Sequence, residues 1–142
     1  MDEKRRAKRG LAVRRAVLGP EHVERTLRTR SPFNHEFQDL LTRYAWGEIW
    51  TRPGLPRHTR SLLTLAVLVS QNHQDELRLH LRASLRNGVT RDEIKEVLLQ
   101  TAVYCGLPAA NSAFHVAAQV FAEVDARTAR PRRRPRPKEP VR

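Results

Sequence analysis

Apolar residues recur at three- and four-residue steps along most of the chain, with glycine and proline marking the breaks between runs. A first helix is predicted up to about Leu18, stopping at Gly19-Pro20. Pro20 has no N–H to lose and a preset φ, which suits the first turn of a short second helix through about Thr29. Residues 30–33 read as a loop, after which Asn34 is placed to cap a helix running to about Trp46. Within that helix Phe37, Leu40, Leu41 and Tyr44 fall on one face, which is expected to be buried. Residues 50–56 are irregular, because two prolines and a glycine fall within four positions.

Three long helices are expected beyond that turn. Residues 57 to about 69 are apolar nearly all round past Ser61, as befits a central buried helix. Residues 75–86 are amphipathic through Leu77, Leu81 and Leu85, and Asn87-Gly88 ends them. Thr90 and Glu93 form the pattern of a capping box, opening a helix that carries Ile94, Val97, Leu98 and Tyr104. Gly106 to Pro108 breaks it, and a last helix spans residues 109 to about 124. With no convincing strand pair, the expected class is all-α, a bundle of about six helices.

Charge divides the 142 residues in a second way. Of 27 Lys and Arg, seven lie in the first fifteen residues and eight in the last sixteen, leaving twelve basic and twelve acidic residues between. The whole excess of +12 therefore sits at the two ends. A nucleic-acid-binding domain usually carries its basic stripe on the folded part. The Arg/Pro-rich residues 127–142 read instead as a disordered tail on a domain of residues 1–126, able to attract nucleic acid only nonspecifically. One cysteine, Cys105, rules out an intramolecular disulfide. The basic start is followed by no apolar segment of signal-peptide length, and residues 62–69 are too few to span a bilayer. A cytoplasmic protein without membrane partners is expected.

Chemistry-bearing residues concentrate in two places. His73, Glu76 and His80 lie within about 60° of one face at 3.6 residues per turn. Three readings stand: a solvated polar face, a metal site, or a Glu76–His80 acid/base pair in which the carboxylate orients the imidazole and raises its pKa. Metal is disfavoured, because the three side chains spread over about 10 Å of helix axis, and no metal or cofactor is expected. Around the rigid turn, Arg52, Arg57, His58 and Arg60 stand beside Trp46 and Trp50, an arrangement suited to a small organic dianion between apolar walls. His115, next to Phe114, is a further candidate, more often a structural role than a catalytic one. Cys105 reads as a packing thiol.

Several of these segments carry a resemblance. W-G-E-I-W-T-R-P-G-L-P-R-H-T-R-S-L at residues 46–62, N-G-V-T-R-D-E-I-K-E-V at 87–97, Y-C-G-L-P-A-A-N at 104–111 and V-R-R-A-V-L-G at 13–19 closely resemble the 4-carboxymuconolactone decarboxylases. These belong to a superfamily shared with the alkylhydroperoxidases. Redox members carry C-x-x-C-x-x-x-H before the N-G turn. Here His73 and Glu76 stand where the cysteines would be and His80 matches the histidine, so dithiol chemistry is excluded. An Arg-Glu pair of those members is Arg60-Ser61 here.

The resemblance implies an alkylhydroperoxidase-like bundle and cofactor-free decarboxylation of 4-carboxymuconolactone. The products would be 3-oxoadipate enol-lactone and CO₂, in the protocatechuate branch of the β-ketoadipate pathway. It implies a homo-oligomer, a trimer or hexamer. On this reading Arg57 and Arg60 grip the substrate between Trp46 and Trp50. His80, oriented by Glu76, delivers a proton, and His58 or His115 donates to the oxyanion. Two alternatives remain: a different small-molecule enzyme of the superfamily lacking dithiol chemistry, and a basic-tailed nucleic-acid-associated protein.

Overall fold

The computed structural model describes residues 2–130 and contains, among them, seven α-helices, one π-helical segment and no strand. The all-α expectation holds. The order is α1 (Glu3–Leu18), α2 (Pro20–Arg28), α3 (His35–Leu41), the π-helical segment (Thr42–Ile49), α4 (Arg57–Ser70), α5 (Gln74–Arg86), α6 (Arg91–Cys105) and α7 (Leu107–Ala129).

Local chemistry sets the joints. The Asp2 side chain accepts from the Lys4 N–H at the start of α1. Gly19 ends that helix at φ +92, a conformation open to glycine, and Pro20 opens α2. The Asn87 amide donates to the carbonyls of Ala83 and Val17, at 2.7 and 2.9 Å, which ties the end of α5 to the end of α1. The capping box is present as read: Thr90 Oγ1 accepts from the Glu93 N–H, and Glu93 Oε1 accepts from the Thr90 N–H.

Two apolar clusters hold the bundle. The larger joins α4, α5, α6 and α7 through Leu65, Leu77, Leu81, Ile94 and Leu98, closed by the small residues of α7. Each such leucine contributes roughly 1.5–3 kcal/mol by leaving water. In the smaller cluster Val13 and Val17 of α1 meet Trp46 and Ala83 of α5, so α5 belongs to both.

Several expectations need correction. The helix after Asn34 does not run unbroken to Trp46. It widens at Thr42 into π geometry, where the Trp50 N–H reaches back five residues to the Ala45 carbonyl at 2.9 Å. Asn34 does not cap through its side chain; its amide closes the preceding turn, accepting from the Ser31 N–H and donating to the Thr29 carbonyl. The Phe37–Tyr44 face is not buried, and Phe37 is 62% exposed. The reason is geometric: α1 occupies the opposite side of the π-helical segment, and nothing among the described residues covers this one. Likewise α4 buries only Ser61, Leu65 and Val69, leaving Leu63 and Val67 in water. Helix α7 begins at Leu107 and runs past the expected boundary at 126 to Ala129. The remainder of the Arg/Pro tail, residues 131–142, lies outside the described residues.

Candidate active site

The turn between the π-helical segment and α4 is where arginine and tryptophan converge. Widening the helix sets Trp46 and Trp50 in a stack, with ring centroids 5.0 Å apart and an interplanar angle of 28°. Trp46 is buried against Val13, Val17 and Ala83, whereas Trp50 opens onto a hollow of about 280 Å³. Arg9 and Val13 of α1, Arg52, Pro53, Pro56 and Arg57 complete its walls. Arg57 is exposed at the first turn of α4. Arg60 donates from its terminal nitrogen to the Arg52 carbonyl at 3.2 Å, bracing the turn, while its buried Nε has no partner. Guanidinium groups with donors to spare beside an indole wall bind a planar carboxylate well.

His80 lies on α5, one helical turn before Ala83, and is not a wall of that hollow. Burial, helped by the charge of His22, pushes its pKa down to about 4. The expected rise from Glu76 is therefore corrected. Glu76 is exposed, makes no hydrogen bond to His80 among the described residues, and lines a shallow surface hollow with His73 and Asp75. His73 occupies the N-cap position at φ −90 and ψ 81, so the three residues do not share one continuous helical face. Among the described residues no three His, Cys, Asp or Glu side chains gather as metal ligands do.

The two other histidines stand apart. His58 Nε2 is 2.7 Å from Glu93 Oε2, joining α4 to the first turn of α6. The Thr90 backbone and the His58 side chain together hold the Glu93 carboxyl below its ordinary pKa. Its partner Glu93 borders a hollow of about 590 Å³ between α4 and α6, whose Leu62, Leu63, Ala66 and Val97 walls and acidic rim of Asp92, Glu93 and Glu96 repel a dianion. His115 is exposed on α7, away from any core. Cys105 is half-buried at the end of α6.

Two residues escaped the sequence reading. Arg14 is only 3% exposed and has no carboxylate partner among the described residues. It donates to Gln38 Oε1 at 3.2 Å and to Thr42 Oγ1 at 3.5 Å, and its Nε is unpartnered. Burial holds its pKa below the usual arginine value. His22 on α2 is the second; burial first, then Arg14, Arg25 and Arg82, hold it below the ordinary histidine value against the opposing pull of Glu76. The signal for Arg14 was its position: it falls on the Gly10–Val13–Val17 face of α1, where an arginine is out of place.

A model of the carboxymuconolactone decarboxylase family matches residues 35–119, from α3 into α7. A 4-carboxymuconolactone decarboxylase of Acinetobacter baylyi is 54% identical over 124 residues, covering 87% of this chain and 92% of its own. Nitrosuccinic acid decarboxylase npaB of Metarhizium robertsii is 52% identical over 99 residues, 70% of this chain and 69% of its own. A 48-residue 4-carboxymuconolactone decarboxylase sequence of Pseudomonas putida is 54% identical over its whole length and 34% of this chain. With more than half of the chain matched by the family model, and a relative 54% identical over 92% of its own length, the chain belongs to the carboxymuconolactone decarboxylase family.

Proposed function

We propose that this protein is a 4-carboxymuconolactone decarboxylase that works without metal or organic cofactor, releasing CO₂ and 3-oxoadipate enol-lactone in the protocatechuate branch of the β-ketoadipate pathway. The observation that carries the reading is 54% identity across 92% of the Acinetobacter baylyi enzyme of that name. The substrate is a butenolide with a carboxylate and an acetate arm on one ring carbon. As the C–CO₂ bond breaks, its electron pair moves through the ring double bond onto the lactone carbonyl, giving a dienolate. The substrate is its own electron sink. The protein must hold the acetate arm, stabilise the oxyanion and deliver a proton to the carbon alpha to the carbonyl.

Arg57 takes the grip, braced by Arg60 through the Arg52 carbonyl, with Trp50 as the apolar wall and Trp46 stacked behind it. His58 is engaged with Glu93 and His115 faces outward, so neither is set to take the oxyanion role expected of them, and Arg57, exposed on the hollow, takes it over. His80 delivers the proton. Its imidazole is neutral in the empty protein and lies outside the walls of the arginine hollow, so it must gain a proton and come within reach of the substrate before it can act as the acid.

The protein works as a homo-oligomer, a trimer or hexamer, in the cytoplasm. Val103 and Tyr104 at the end of α6 are 78% and 80% exposed, and Leu107 continues the patch. Such faces are usually covered by another copy. No helix among the described residues is long and apolar enough to cross a membrane.

The test is a substrate panel with purified, chelated protein: 4-carboxymuconolactone followed by ultraviolet absorbance, and nitrosuccinic acid followed by CO₂ release. Turnover of the lactone supports the reading. Turnover of nitrosuccinic acid alone would assign the npaB reaction instead.

A further inference from the structure

A second cationic hollow lies away from the Trp50–Arg57 turn, and the decarboxylation leaves it unused. It measures about 220 Å³ and sits between α2, α5 and α7. Its charged walls are Arg25 of α2, Arg82 and Arg86 of α5 and Arg127 of α7, with Glu21 and His22 from α2. Arg82 is spoken for by Glu123 at 2.8 Å. Arg25, Arg86 and Arg127 make no ion pair among the described residues, so with Glu21 subtracted and His22 neutral the hollow carries a surplus of two positive charges.

Three guanidinium groups repel one another where protein walls thin the solvent between them. Their retention in one hollow points to an anion that offsets them. Arg86 is held in place at one wall: a Cβ on Gly19 would lie 2.9 Å from its terminal nitrogen, so the bare backbone at the α1–α2 joint gives the guanidinium room to pack there.

We propose that this hollow is a binding site for a small dianion, inorganic phosphate or a short dicarboxylate, distinct from the site that Arg57 serves. Charge match fixes the class: two negative charges cancel the surplus, and planar forks suit either oxyanion. His22 reports on occupancy. It is faced by Arg14 from α1, Arg25 from its own helix, and Glu76, His80 and Arg82 from α5, with Arg127 of α7 on the same hollow. A dianion among these groups favours the imidazolium, so the His22 pKa rises on binding, and the anion binds more tightly as pH falls through that value.

The experiment is calorimetric titration of the full chain with phosphate and, separately, succinate at low ionic strength, with the His22 ring followed by NMR. Saturable binding, one anion per chain, is expected, with His22 titrating at a higher pH when the anion is present. Arg86→Gln and Arg25→Gln should each weaken binding at least about fivefold, whereas Arg57→Gln should leave phosphate binding and the anion-induced His22 shift unchanged. Tighter binding of phosphate assigns a tetrahedral oxyanion, and tighter binding of succinate a dicarboxylate. Absence of saturable binding for both, an unmoved His22 in the unmodified chain, or a loss confined to Arg57→Gln would each overturn the site. If either arginine variant fails to fold by circular dichroism, the His22 shift in the unmodified chain decides.

Discussion

Gly10 of α1 and Gly47 of the π-helical segment meet backbone to backbone. A Cβ on Gly10 would press into the Thr42 carbonyl oxygen and stand 2.8 Å from the Gly47 nitrogen, and a Cβ on Gly47 would stand 2.6 Å from the Arg6 carbonyl oxygen. This crossing brings α1 close enough for Val13 to pack on Trp46 and for Arg9 to reach the Thr51 carbonyl at 3.3 Å, so it sets one wall of the arginine hollow. Neither glycine has a positive φ; both are needed for space.

Gly47→Ala should therefore lower stability by about 1–3 kcal/mol, the range for forced overpacking, and should reduce turnover in the fraction that remains folded. Thermal unfolding followed by circular dichroism checks the first, and the decarboxylation rate below the transition checks the second. An alanine variant as stable as the parent would mean that α1 and the π-helical segment do not approach this closely.

The depressed pKa of His80 makes a stability prediction with a defined sign. In the unfolded chain the imidazole takes up its proton near pH 6.5, but in the fold only near 4. Between those values the unfolded state binds more protons, so stability is intact above about pH 6.5 and is lost as pH falls toward 4. The loss is on the order of 3 kcal/mol at 1.36 kcal/mol per unit, and His22 adds in the same direction. Urea unfolding midpoints across this window should slope steeply, and less steeply in His80→Gln. A slope unchanged by that substitution would place the proton uptake elsewhere.

Arg57 and His58 are sequence neighbours with opposite roles. Arg57→Lys keeps the charge but loses the planar fork, so kcat/KM should fall by about tenfold, the weight of one charged hydrogen bond. His58→Gln breaks the contact with Glu93, neither of which is a wall of the arginine hollow, and should change kcat/KM less than about twofold. The reverse ranking would move the site toward the α4–α6 hollow.

Assembly is checked by light scattering at micromolar concentration. A mass near three or six times 16.4 kDa is expected. Val103→Asp or Tyr104→Asp should shift it downward, because a charge in a covered apolar face is poorly solvated. A single-chain mass with full activity on dilution would remove the oligomer from the account.

Most of the fold could be read from the chain because its joints are local chemistry. Gly19-Pro20, Asn87-Gly88 and Thr90 with Glu93 each act within a few residues and fall where they were expected, and Gly106 ends α6, although Leu107 and Pro108 already open α7. The failures share a different origin. Phe37 and Tyr44 have a helical period that marks a face but not its cover, and one sequence cannot say whether that cover is the same chain. The π widening at Thr42 depends on how closely α1 approaches, a long-range fact with no local signature. In the site, the Trp–Arg turn was legible because proline rigidity keeps its residues together. The Glu76–His80 pair was misread because spacing gives adjacency on a helix and not the burial that moves a pKa. Arg14 was hidden among fourteen other basic residues of the two ends, because a charge count carries no information on burial.

The central claim is best tested by adding exhaustively chelated, purified protein to 4-carboxymuconolactone and following the loss of its ultraviolet absorbance, alongside His80→Ala. The account predicts full turnover without metal and a drop of about 10²–10⁴-fold in the variant, the usual contribution of a positioned general acid. Turnover that vanishes on chelation and returns with a metal ion, or a folded His80→Ala protein as fast as its parent, would contradict it.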